Sequence, residues 1–208
     1  MPEHILRRYT ALPQLFHMLT TRKITLLSPE TWDDRNDASF LESYKKRRKL
    51  KSVLALCFTE APEQYHHWKV FAGGASGVRI EFDGARLLEQ ATRVKGMRAG
   101  AVVYKKIDDI RKQSPKVEEL PFLKRYPFRD EMEFRLVYED RRTALDAKDV
   151  PFELNAIRRI VLSPWLPAAL VPTIKSIVRG LDGCTALKVT RTTLVENEEW
   201  KRSAVQET

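Results

Sequence analysis

Hydrophobic and polar positions alternate most cleanly between residues 131 and 139. Glu131, Glu133, Arg135, Val137 and Glu139 share one parity, and Met132, Phe134, Leu136 and Tyr138 share the other. A period of two predicts a half-buried β-strand with its apolar set turned to the core. The opposite face then carries two carboxylates and a guanidinium in a row, about 7 Å apart. Such a face is either solvated, with cross-strand ion pairs worth little each, or it serves a ligand or a reaction.

The same reading divides the rest of the chain. Residues 5–9 predict a first strand, and 11–21 a short amphipathic helix with Leu12, Leu15, Phe16 and Leu19 at helical spacing. Residues 23–27 hold β-branched Ile24 and Thr25 and predict a strand, and 32–37 carry turn and cap chemistry. A helix over 39–50 leads to a buried strand at 53–58, and a helix over about 61–72 stops at Gly73-Gly74. Strands are predicted at 78–82, 98–105, 131–139, 157–162 and 186–190, with Asp83 capping a helix that runs to about 91. Residues 105–127 read as helix plus loop. A late helix lies between 167 and 179, with Pro172 tolerated only in its first turn.

This order lacks strict βαβ repetition and a Gly-rich phosphate loop, which argues against a doubly wound nucleotide fold. It predicts an α+β fold over residues 1–195, one domain with a mixed, mostly antiparallel sheet and flanking helices. A charged tail, 196–208, is expected to fray.

Composition narrows the functional classes. The 208 residues are 43% apolar, enough for one packed core. No apolar run approaches the roughly 20 residues that span a bilayer, and the N-terminus lacks a signal-peptide core, so a cytoplasmic protein with no membrane partner is expected. Cys57 and Cys184 have no metal-ligand spacing and read as core residues. His66 and His67 point about 100° apart on a helix and belong to no HExxH pattern, so no metal is expected. The net charge of +9 favours a polyanionic partner, such as nucleic acid, or an anionic substrate. Lys45, Lys46, Arg47, Arg48, Lys49 and Lys51 crowd into one short run that can contact phosphates. The run has no interleaved aromatics, and a solvated helix end is the plain alternative.

Several short blocks stand in a telling order: Leu6-Arg-Arg-Tyr9, Ile24-Thr-Leu-Leu-Ser-Pro29, Trp32, Asn36-Asp37 and Cys57-Phe-Thr-Glu60. Trp68-Lys-Val-Phe-Ala72, Gly77-Val-Arg-Ile-Glu-Phe-Asp83 and Phe128-Arg-Asp-Glu-Met-Glu-Phe-Arg135 follow. In this order they resemble the bacterial domain-of-unknown-function family 2971, over about residues 5–140. Ala38, Phe71 and Phe128 depart from the family's usual Pro, Tyr and Trp. The family's layout is similar to that of ADP-ribosyltransferase-type domains, with a basic residue on the first strand, an aromatic on a following helix and a Glu on a late strand. The resemblance implies NAD as a co-substrate, a nucleic acid or protein target, and a defence or toxin role.

Breaking a nicotinamide–ribose bond develops positive charge, which a fixed carboxylate stabilises. Glu131 and Glu133 are the candidates, with Arg135 holding them ionised and in place. Arg7 or Arg8 would bind the pyrophosphate, only one of the two facing a cleft because their parities differ. Tyr9 or Trp68 would stack on a flat heterocycle, a core anchor being the plainer reading of Trp68. Asn36 and Asp37 read as a loop clasp on backbone donors. The alternative to an enzyme is a non-catalytic basic module that binds nucleic acid or a partner protein through the 44–51 cluster. A nuclease would need Asp33, Asp34, Asp37, Glu131 and Glu133 to meet around a metal.

Overall fold

The computed structural model describes residues 4–204. Along them the chain runs β1 (Ile5–Ala11), α1 (Leu12–Thr21), β2 (Lys23–Leu27), α2 (Arg35–Arg47), β3 (Ser52–Thr59) and α3 (Tyr65–Phe71). It continues through β4 (Gly77–Asp83), α4 (Gly84–Thr92), β5 (Met97–Ala101), β6 (Val103–Lys105), α5 (Ile107–Lys112) and β7 (Leu123–Arg125). The last third holds β8 (Glu133–Asp140), β9 (Ala147–Pro151), β10 (Ile157–Leu162), α6 (Val171–Gly180), β11 (Val189–Arg191) and α7 (Glu198–Ser203).

Local chemistry sets the boundaries. Asp34 caps α2 by accepting from the Asn36 and Asp37 amides, and Asp83 caps α4 by accepting from Arg86. Pro172 falls in the first turn of α6. Gly73, at φ 71°, follows α3 in the left-handed region.

Among the described residues nine strands form one sheet in the order β11-β10-β4-β1-β3-β2-β9, with β8 pairing β3 and β5. All its pairings are antiparallel except β10 with β11. The fold is therefore α+β with a mixed, mostly antiparallel sheet. The junction of β1 with β3 is the weak point of this sheet. Seven positions of β1 pair with β4, whereas Arg7↔Thr59 alone joins β1 to β3. Beyond that pair the strands separate.

The two halves turn their inner faces to a common core. Leu6, Val78, Ile80, Phe82 and Ile160 come from one half, and Leu54, Leu56, Phe58, Phe134 and Leu136 from the other, with Leu15 and Leu19 of α1 and Leu87 of α4 packed among them. The outer faces are covered separately. Leu41 and Tyr44 of α2 lie on Val53, Ala55 and Val137, and Trp68 and Ala72 of α3 lie on Tyr9 and Val161.

Several expectations need correction. The helix predicted over 39–50 is α2, starting at Arg35 and ending at Arg47, and that over 61–72 shortens to α3. The strand predicted over 98–105 divides at Val102: its amide donates to the Glu133 carbonyl in the register of β5 with β8, and from Val103 the chain pairs with β7 instead. β9 gave no signal because only Val150 of its five residues is buried. The tail expected to fray contains α7, capped by Asn197. Its last residues, 205–208, lie outside the described residues.

Candidate functional site

The alternation over 131–139 resolves into a strand that starts only at Glu133. Residues 126–131 form a 3₁₀ turn, and Met132 takes a left-handed conformation at φ 42°. Glu131 is therefore not on the strand, and the predicted row of evenly spaced carboxylates does not exist. The turn is fixed at both sides. Thr59 donates from its hydroxyl to the Glu131 carbonyl, and the Glu60 amide donates to the Met132 carbonyl. The Glu133 amide donates to the Tyr104 hydroxyl at 2.8 Å.

The polar parity of β8 is buried. Phe134, Leu136 and Tyr138 face the main core as the alternation requires, but Glu133, Arg135 and Val137 lie beneath α2. Asp37, Leu41 and Tyr44 form the buried stripe of that helix, at the spacing of one helical face. Asp37 meets Arg135, Leu41 packs in the same cluster as Val137, and the Tyr44 hydroxyl donates to Glu139 at 2.5 Å.

Arg135 is completely buried, and every one of its five N–H donors is used. Nε donates to Glu133 Oε1 at 2.6 Å and one Nη2 hydrogen to Glu133 Oε2 at 3.0 Å. Nη1 serves Asp37 Oδ1 at 2.9 Å and the Pro121 carbonyl at 3.0 Å, and Nη2 also serves Asp37 Oδ2. The Trp32 ring covers the guanidinium, 5.2 Å from its carbon. Asp37 is thus a clasp on a guanidinium, not on backbone donors. Asn36 is exposed and bonds locally to Asp34.

Lys124 joins the remaining carboxylate to this pair. Its Nζ lies 2.6 Å from Glu131, 3.1 Å from Glu133 and 3.8 Å from Asp37, with the Phe128 ring 4.9 Å away. Asp37, Glu131 and Glu133 against Lys124 and Arg135 leave one surplus negative charge when all are ionised. The protein splits the burden unequally. Burial pushes the Glu133 carboxyl up, but Arg135 and then Lys124 outweigh it and hold it down to about 2. Burial dominates at Asp37 and Glu131, which are raised above their ordinary values in spite of their cationic neighbours. Burial opposes the Lys124 ammonium, but Glu133 and Glu131 raise it nonetheless.

This cluster forms one wall of a cleft of about 530 Å³ that opens where β1 leaves β3. Glu131, Glu133, Asp37, Lys124, Trp32 and Phe128 line that wall, while Arg7, Arg8, Tyr9, His67, Val70 and Phe71 line the other. Exposed Leu27, Val70 and Phe71 give the cleft an apolar element. Arg7 and Arg8 both line it, contrary to the parity argument, because the parted strands expose both sides of the β1 edge. Arg7 donates to the Glu60 carbonyl at 2.9 Å and lies 3.8 Å from Glu81. Arg8 donates to the Cys57 carbonyl at 3.0 Å and has no carboxylate within ion-pair distance among the described residues. Burial lowers its guanidinium below the ordinary value.

Trp68 has no exposed surface and does not line the cleft. Its Nε1 donates to Glu63 at 2.9 Å and its ring packs edge-on against Tyr9, so it anchors α3 rather than offering a stacking surface. Tyr9 lines the cleft at 8% exposure. Beside it His67 is fully buried, and neither ring nitrogen has a hydrogen-bond partner among the described residues. Burial, with a contribution from His66, lowers its pKa to about 4.

Lys124, His67 and Trp32 were not selected as site residues from sequence. Lys124 had a weak signal, a lone cation ahead of an aromatic and acidic turn. Asp33 and Asp34 line the same cleft, but among the described residues no group of three His, Cys, Asp or Glu is arranged to hold a metal ion. The basic run lies elsewhere. Lys45 pairs with Glu30, Lys46 with Glu42 and Arg48 with Glu118, each at 3.4 Å, while Arg47, Lys49 and Lys51 are exposed without ion pairs among the described residues.

No protein-family model and no curated protein matches the chain. Among solved structures, Thermus sp. 2.9 DarT in complex with NAD+ superposes over 92% of this chain and 96% of that chain, at 10% identity and a TM-score of 0.46. The same protein in complex with ADP-ribosylated ssDNA superposes over 92% and 95%, at 12% identity and a TM-score of 0.48. Likeness at this level carries no conclusion about what the present chain does.

Proposed function

We propose that the cleft binds NAD and that the protein is an ADP-ribosyltransferase-like enzyme, as the resemblance of its sequence blocks to domain-of-unknown-function family 2971 implies. The observation that supports this most is the division of charge across the cleft. Arg8 stands on one wall as a half-buried cation without a carboxylate partner among the described residues, and the opposite wall carries a carboxylate cluster with one negative charge in surplus. A ligand with an anionic middle and a cationic end fits that arrangement, and NAD has a pyrophosphate and a nicotinamidium.

The roles follow from the environment of each side chain. Arg8 takes the phosphates through its free donors, with Arg7 beside it. Glu133, held ionised by Arg135, supplies fixed negative charge where C1′ of the ribose becomes oxocarbenium-like. The bond between C1′ and the nicotinamide nitrogen breaks with its electron pair leaving on nicotinamide. An acceptor nucleophile adds to C1′ and gives up its proton. Glu131, raised by burial and with Oε1 outside the bond to Lys124, is suited to accept that proton. Lys124 is a positioning residue that holds both glutamates at one place.

The test is release of nicotinamide from NAD by purified protein. The wild type releases it, Glu133→Gln loses at least a hundredfold, and Arg8→Ala raises KM more than it lowers kcat. Equal release by wild type and Glu133→Gln would refute the assignment.

A further inference from the structure

Three loops converge at the Ser52 end of β3, where it runs beside β8 and β5. Lys51 donates its amide to the Asp140 carbonyl at 2.7 Å, Ser52 pairs with Asp140, and the Glu139 amide donates to the Gly96 carbonyl. The loop after α2 thereby meets the loop after α4 and the turn after β8. Each brings exposed cations: Arg47, Lys49 and Lys51 from the first, Lys95 from the second, and Arg141 and Arg142 from the third. None of the six has an ion pair among the described residues. Half of the basic run seen in sequence is neutralised by Glu30, Glu42 and Glu118, and the other half is joined by three cations that are distant in the chain.

Helix ends account for only part of this charge. α2 and α4 both finish here, and their C-terminal carbonyls amount to about half a negative charge each. Asp140 and Asp146 add two carboxylates, the first already accepting from the Arg142 and Thr143 amides. Six cations against roughly three negative charges leave a surplus near +3. The patch has no apolar anchor, since Leu50 is buried and none of the large exposed hydrophobics falls within 46–51, 93–96 or 140–146. A bilayer surface or a protein hot spot would call for one.

We propose that this basic end of the sheet binds the phosphodiester backbone of a nucleic acid, at a site separate from the cleft. β3 spans Ser52–Thr59 and lines the cleft from Ala55 to Thr59, so along the strand the patch at Ser52 lies about 10 Å from the nearest cleft residue and about 23 Å from the end that pairs with Glu133. The contact is sequence-independent, because it consists of cations without a helix or strand placed to read base edges. It does not depend on what the cleft binds.

The experiment measures binding of a fluorescein-labelled 20-nucleotide single-stranded DNA against salt, for wild type, Lys49→Ala/Lys51→Ala/Arg141→Ala and Arg8→Ala. Losing three phosphate contacts lowers the slope of log K against log salt by about 2 and weakens binding roughly a hundredfold at 0.1 M salt. All three residues are exposed, and an unchanged circular dichroism melt shows the variant folded. NAD binding by calorimetry is the same for the triple variant as for wild type. Four results overturn the proposal: no oligonucleotide binding by wild type, an unchanged slope in the triple variant, loss of oligonucleotide binding in Arg8→Ala alone, or loss of binding to phosphatidylserine vesicles without loss of the oligonucleotide.

Discussion

Asp37, in the first turn of α2, holds Arg135 of β8 through both of its carboxylate oxygens, and both side chains are buried. This pair fixes a helix onto the polar face of a strand and, through Arg135, fixes Glu133 at the wall of the cleft. Removing Arg135 leaves Asp37 and Glu133 buried with only Lys124 against them, which costs about 3–5 kcal/mol, whereas without the Asp37 charge Arg135 keeps both bonds to Glu133. Arg135→Met should lower stability by about that amount in urea unfolding, Asp37→Asn by less, and the double variant by less than the sum.

Glu133 gives the fold an acid-dependent component. Its folded pKa of about 2 lies below its ordinary value, so the stabilisation is fully present above about pH 4.5 and fades as the pH falls toward 2. Thermal melts across that window should show the gap between wild type and Glu133→Gln closing as the pH drops. A gap that stays constant would mean that the carboxylate is not held by Arg135 and Lys124.

His67 acts with the opposite chemistry in a neighbouring window. It is buried neutral, with a folded pKa of about 4, so the unfolded chain takes up its proton first as the pH falls. Stability at this residue is complete above about pH 6.5 and decreases by roughly 2–3 kcal/mol as the pH falls to 4. In His67→Phe the decrease between pH 6.5 and 4 should be smaller by that amount, measured by urea unfolding at each pH.

Lys124 is expected to tune the proposed chemistry without touching the reacting atoms. Its ammonium lowers the pKa of Glu131, which burial raises. In Lys124→Met the acidic limb of the pH–rate profile for nicotinamide release should therefore move to higher pH, and in Lys124→Arg it should return part of the way. A uniform loss of rate with an unmoved limb would assign Lys124 a purely structural role.

The main strands were legible because their side chains obey simple periods. Phe134, Leu136 and Tyr138 face the core as their alternation requires, and β2 and β10 begin and end at the residues that the pattern gives. The cleft was less legible for physical reasons. Met132 adopts a positive φ without being glycine, so nothing in the side-chain pattern announced that Glu131 leaves the strand. A polar strand face normally meets water, and only the stripe Asp37, Leu41, Tyr44 hinted that a helix would cover this one. Trp68 reads from sequence as either a core anchor or a stacking residue, and its packing against Tyr9 and its bond to Glu63 decide for the anchor. The pairing of Lys124 with Glu131 and Glu133 depends on a turn whose shape is not encoded in any local motif.

Calorimetric titration of NAD into wild type, Glu131→Gln, Glu133→Gln and Arg8→Ala tests the central claim most directly. Saturable binding by wild type, weakened at least tenfold in Arg8→Ala and altered in one or both glutamate variants, is the predicted result. Absence of any binding heat from folded wild-type protein at millimolar NAD would contradict it.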